Sequence, residues 1–121
     1  MFKVHRTGNH LDFTFGGRLE ASEMKEVLDE FTAQAEGIEN GTMLIRIEHF
    51  EMPSRQAIAL EFARLPKMLG ILRRFRRAAV VADETWIRRI SQWESMLIPG
   101  LEIQSFPPGE ETAASTWLTR P

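Results

Sequence analysis

Cysteine is absent from the 121 residues, which excludes disulfides, thiolate zinc sites and cysteine nucleophiles. A charge bias is missing as well. Fifteen Lys and Arg against 17 Asp and Glu leave a formal net charge of −2, so nothing global draws the chain to nucleic acid or acidic membranes. No apolar run approaches the ~20 residues of a membrane-spanning helix, so no transmembrane segment is expected. The opening M-F-K-V-H-R-T-G-N-H lacks the apolar core of a signal peptide. Together these absences lead to the expectation of a soluble, cytoplasmic protein. Neither a recognition-helix motif nor an exposed aromatic platform is visible, so nucleic acid is not an expected partner. Neither G-x-G-x-x-G nor G-K-[ST] follows Gly16-Gly17, which reads as a turn and not a phosphate loop. His5, His10 and His49 lack metal-ligand spacing such as H-x-x-x-H, and the local sequence fixes no acidic partner beside them. No catalytic residue, metal or cofactor is expected, and the reading is that of a protein without enzymatic activity.

What is present is an ordinary globular composition, with 43% hydrophobic and 26% charged residues. A chain of this length reads as a single domain over 1–121, large enough to bury about two thirds of its unfolded surface. Its organising stretch is R-A-A-V-V-A-D-E-T-W at 77–86. Ala78 to Ala82 is an unbroken apolar run, as expected of a strand covered on both faces in the middle of a sheet. Asp83 ends the run and suits an N-cap, since its carboxylate can accept from the free N–H groups of a following helical turn.

Phe2 and Val4 alternate with polar neighbours, as do Leu11, Phe13 and Phe15, around Gly8-Asn9. That pattern predicts a β-hairpin with strands near 2–7 and 10–16. Met24, Val27, Leu28, Phe31 and Ala35 share one helical face, with a start at Glu20 or Ser22 and a stop at Gly37. Thr42 to Glu48 reads as the third strand. Pro53-Ser54 opens the longest helical pattern, over 54–72, with Ile58, Phe62, Leu65, Leu69 and Leu72 as its stripe and a kink expected at Pro66. It is expected to end in Arg73, Arg74, Phe75, Arg76 and Arg77. Trp86, Ile90, Trp93 and Leu97 mark another helix, closed by Pro99-Gly100. Leu101 and Ile103 alternate in a fifth strand, and residues 109–118 form a last helix with Ala114, Trp117 and Leu118. The order ββαβαβαβα predicts an α/β fold: a mixed, mostly parallel five-stranded sheet with an N-terminal β-hairpin and about four helices.

These residues resemble the SpoIIAA-like family of the STAS/SEC14-type superfamily. The resemblance rests on G-R-L at 17–19, H-F-E at 49–51 and F-R-R-A-A-V-V-A-D-E-T-W at 75–86, then Phe106, Ala114, Trp117 and Leu118. The family usually has Gly where this chain has Ala82, and Asp where it has Pro107. The resemblance implies a small soluble bacterial protein, similar in fold both to anti-sigma-factor antagonists and to SEC14-type lipid carriers.

Two functional readings follow. In the first, helix 54–72 binds an apolar or amphiphilic ligand or a membrane surface. Phe62, Met68, Leu69 and Leu72 would contact lipid, and Arg73, Arg74, Arg76 and Arg77, with Arg88 and Arg89 nearby, would hold anionic head groups. The plain alternative is a core helix whose terminal arginines complement its dipole. The apolar excess at Leu60, Met68 and Ile71 also suits a homodimer face. In the second reading, the chain is a protein-interaction module. Ser54 stands where the phosphoregulated antagonists carry their phosphorylated serine, with His49 and Glu51 in the loop before it. The D-S-S-G-type motif of those antagonists is missing from E-M-P-S-R-Q, and the alternative for Ser54 is a helix cap.

Overall fold

The computed structural model describes residues 2–18, 21–51, 70–83 and 100–120. The helical pattern of 54–69 with Pro66, and that of 84–99, lie outside the described residues. So do Ser54, Phe62, Met68 and Leu69, and the side chains of His49 and Glu51.

The first hairpin is β1 (Phe2–Thr7) and β2 (His10–Arg18), paired antiparallel from Phe2↔Phe15 to Thr7↔His10. Gly8 takes φ +60 at the turn, where a side chain would be strained. Helix α1 (Ala21–Gln34) presents Val27, Phe31 and, just past its end, Ala35 to the sheet. Gly37, at φ +82, turns the chain out of the helix. Strands β3 (Gly41–Glu51), β4 (Phe75–Val81) and β5 (Glu102–Phe106) then add in parallel, giving the order β1-β2-β3-β4-β5. Helix α2 (Glu111–Thr119) closes the chain. The mixed five-stranded α/β sheet is as the periodicity predicts.

Several details differ from that prediction. The middle strand is β3, with β4 one place from the edge. The apolar run is nevertheless buried throughout, from Ala78 to Ala82, because β4 is covered on both faces. Gly16-Gly17 is not a turn; it lies inside β2, where the register steps from Gly16↔Glu48 to Gly17↔Phe50. His49 is the extra residue of that bulge, and His49 to Glu51 belong to β3 rather than to a loop. Phe75 to Arg77 belong to β4, not to a helix end; the helix stops at residue 72 and a turn at 73–74 leads into the strand. Phe75 is drawn into the core, 1% exposed and stacked on Phe31 at 6.1 Å between centroids. Burying such a side chain stabilises by about 1.5–3 kcal/mol, which outweighs continuing the helix.

A second bulge sits at the start of β4, where Gly41 pairs with Phe75 and Thr42 with Arg77. Arg76 is the residue left over. The bulge keeps Phe75 and Ala78 on one face although they are three residues apart. Gly41 is needed at this junction for its close backbone approach. A Cβ there would lie 2.6 Å from the Asn9 carbonyl oxygen and collide with Ile38.

The core has two sides. Leu11, Phe13, Phe31, Met43, Phe75 and Ala78 pack beneath α1 and Ile71. Leu44, Ala79, Val81 and Phe106 pack on the opposite face beneath Ala114 and Leu118 of α2. Helix α2 packs mainly on β4, with smaller contacts to β3 and β5. On that face the first two strands therefore present polar residues, including Lys3, His5, His10 and Asp12.

Candidate functional site

Parallel α/β sheets place ligands and partners at the carboxyl ends of their strands, where side chains diverge into the loops. Here β3 and β4 run out side by side, and the turn after β5 brings the first residue of α2 against them. The result is a cleft of about 140 Å³. Val81, Ile47 and Pro108 give it an apolar lining, and Arg46, Glu48, Asp83 and Glu111 supply the charges. Ligand sites for small molecules commonly occupy about 300–1,000 Å³, so the cleft is too small to swallow a lipid chain. With three carboxylates and one guanidinium on the rim, it suits a side chain offered by another molecule. Among the described residues no group of three His, Cys, Asp or Glu is placed to hold a metal ion.

Beside the cleft, Arg46 also reaches across the sheet toward β2. Its Nη1 lies 3.4 Å from Asp12 Oδ1, and His10 Nε2 lies 3.4 Å from Asp12 Oδ2. The Thr42 hydroxyl is 2.7 Å from His10 Nδ1. His10 thus has the acidic partner that the local sequence did not fix. Period-2 spacing puts residues 10 and 12 on one face, but only the parallel register His10↔Thr42 and Thr14↔Arg46 brings in the other two. Three of the four are charged or titratable groups at about 30% exposure, and Arg46 is shared with the cleft. The cluster ties β2 to β3.

The terminal arginines have a structural task. The last carbonyls of a helix have no partners within it and need donors from elsewhere. Arg76 donates from Nη1 to the Arg120 carbonyl and from Nη2 to the Leu118 carbonyl, both at 2.8 Å. Arg77 Nη1 donates to the carbonyls of Trp117 and Arg120, at 2.5 and 3.1 Å. Arg77 also stands 3.5 Å from Glu102. At the end of α1 the same task falls to Arg6 and Arg74. Arg6 donates to Gln34 at 3.0 Å, and Arg74 donates to Ala35 at 3.3 Å. Arg73 is exposed, while Leu72 is half-buried against the core. The bulge at Arg76 is what lets two successive arginines reach one helix end.

The predicted site residues therefore fall into separate places. Arg74 serves α1, Arg76 and Arg77 serve α2, and His49 and Glu51 lie at the far end of β3 leading toward residue 54. The charged rim of Arg46, Glu48, Asp83 and Glu111 was not anticipated. Its signal in the sequence is the polar residue at or just beyond the end of each parallel strand, but that signal needs the register to be read.

The SpoIIAA-like family model matches residues 10–119. No match was found among curated protein sequences. Three solved structures share the fold over nearly the whole chain. A DUF3478-family protein with a SpoIIAA-like fold from Shewanella loihica is 22% identical, with 98% of this chain and 92% of that one covered and a TM-score of 0.67. The anti-sigma factor antagonist SpoIIAA in its unphosphorylated form is 12% identical, covering 99% and 100%, with a TM-score of 0.63. The Bacillus cell fate determinant SpoIIAA in its phosphorylated form is 16% identical, covering 97% and 99%, with a TM-score of 0.60. At these identities the structures speak for the fold alone, while the family match spans all five described elements from β2 to β5 and on through α2. The chain belongs to the SpoIIAA-like family.

Proposed function

We propose that this domain is a non-catalytic protein-interaction module of the anti-sigma-factor-antagonist type. Its working surface is the corner where β3 and β4 end, from the rim of Arg46, Glu48, Asp83 and Glu111 toward His49, Glu51 and Ser54. The observation that carries this reading is the cleft itself: shallow, apolar beneath, and bordered by charges of both signs. Interfaces between proteins combine such an apolar centre with a polar rim, and charged rims set partner choice and approach rate. The similarity to an anti-sigma factor antagonist supports the same class of role.

The test is photo-crosslinking in cells from positions 48 and 111, with Arg46→Glu as the matched variant. A discrete crosslinked protein whose yield falls several-fold in Arg46→Glu is the expected result. Crosslinking that is diffuse, or indifferent to Arg46, overturns the proposal. Native mass spectrometry of the same preparations addresses the rival reading, in which Phe62, Met68, Leu69, Leu72 and Arg73 take up an amphiphile. Retained lipid that is lost on Met68→Glu would favour that rival.

A further inference from the structure

Arg46 belongs to two places at once. It lines the cleft at the ends of β3 and β4, where it is the one cation among the described lining residues. The described ion pair of Arg46 nevertheless points the other way, to Asp12 of β2 at 3.4 Å. Behind Asp12 stand His10 and Thr42. A carboxylate only accepts hydrogen bonds, so the His10 Nε2 that lies 3.4 Å from Asp12 Oδ2 carries the ring hydrogen. In the neutral imidazole Nδ1 is then an acceptor, and the Thr42 hydroxyl, 2.7 Å away, donates to it. From β1, His5 stands opposite Asp12 and Lys3 opposite Thr14, so that strand offers Arg46 no competing carboxylate.

We propose that Thr42, His10 and Asp12 form a positioning relay that holds the Arg46 guanidinium at the mouth of the cleft. The inference rests on the protein-interaction reading above, and it names residues that act on the docking surface without lining it. A loose arginine side chain samples many rotamers, and ordering it on binding costs affinity. A guanidinium already held in place avoids part of that cost. The relay has a second effect. Three carboxylates share the rim with Arg46, and a released guanidinium would be drawn among them, over the apolar lining of Val81, Ile47 and Pro108. Asp12 pulls from the β2 side and keeps that lining open to a partner. The parallel register that sets His10 against Thr42 and Thr14 against Arg46 is what assembles the relay.

The test combines crosslinking in cells from position 111 with NMR of the purified full chain at about pH 8, above the usual titration range of histidine. Long-range proton–nitrogen spectra should show the His10 hydrogen on Nε2. Thr42→Val, which keeps the shape but loses the hydroxyl, should give a mixture of tautomers, and Thr42→Ser should restore the single form. Asp12→Asn should lower the crosslinked yield by about two- to tenfold, the effect of one more side chain to be ordered on binding. Thr42→Val should act in the same direction, with rescue by Thr42→Ser. The His10 hydrogen on Nδ1, a tautomer indifferent to Thr42→Val, or a yield unchanged in Asp12→Asn would overturn the relay and leave the interaction reading intact. A yield that merely follows the melting temperature across these variants would assign the cluster to the architecture and overturn the relay as well. Failure of the parent chain to give any discrete crosslinked protein would remove the interaction reading itself, and this inference with it.

Discussion

The guanidinium of Arg77 lies over the indole of Trp117, 5.1 Å from the ring centroid, and the same side chain donates to the Trp117 backbone carbonyl. One residue thus fastens both the side chain and the end of α2 to β4. This helix is nine residues long and buries only Ala114 and Leu118, so its docking depends heavily on those contacts. Arg77→Met should destabilise the domain by about 1–2 kcal/mol, the range for losing a charged donor and a cation–π contact. Urea denaturation reads the loss. A double-mutant cycle with Trp117→Leu should give a coupling of about 0.5–1 kcal/mol. Simple additivity would mean that the stacking contributes nothing.

Phe75 tests the position of β4. If it is a core residue, Phe75→Ala should cost about 3–5 kcal/mol, as for other buried aromatics. A loss below ~1 kcal/mol, typical of surface positions, would contradict its stacking on Phe31.

Two glycines should respond differently to alanine. Gly41→Ala meets backbone and a buried side chain and should cost about 1–3 kcal/mol by overpacking. Gly17 has open space around it but φ +69, so Gly17→Ala should cost about 1–2 kcal/mol through backbone strain alone. Gly17→Asn should recover part of that loss, because Asn tolerates the left-handed region. Thermal denaturation of the three variants checks the order.

Arg46 should matter little for stability. Its ion pair with Asp12 spans 3.4 Å between side chains that are each about one-third exposed, and such pairs contribute about 1 kcal/mol or less. Arg46→Glu should therefore keep the midpoint of denaturation close to that of the parent protein. That separation makes it a clean probe of the interaction surface. A collapse in stability would instead assign Arg46 to the architecture.

How much of this was legible in the sequence follows from the range over which each feature is set. Alternation in Leu11, Phe13 and Phe15, and the three-to-four spacing of Val27, Phe31 and Ala35, depend on the geometry of a few consecutive residues. They disclosed the elements and the buried faces, whereas the family showed in its motifs, above all F-R-R-A-A-V-V-A-D-E-T-W at 75–86. The run Ala78 to Ala82 disclosed a strand covered on both sides. Tertiary structure alone decided which strand is the middle one, that bulges fall at His49 and Arg76, and that arginines from β4 serve the end of a helix more than 40 residues later. It also brought Thr42 to His10 and Arg46 to Asp12 across sequence separations of 32 and 34 residues. Register between strands is fixed by how whole faces pack against the helices that cover them, and no local pattern encodes it. The chain specified its pieces residue by residue. The surfaces those pieces offer to other molecules arose only once the sheet had assembled.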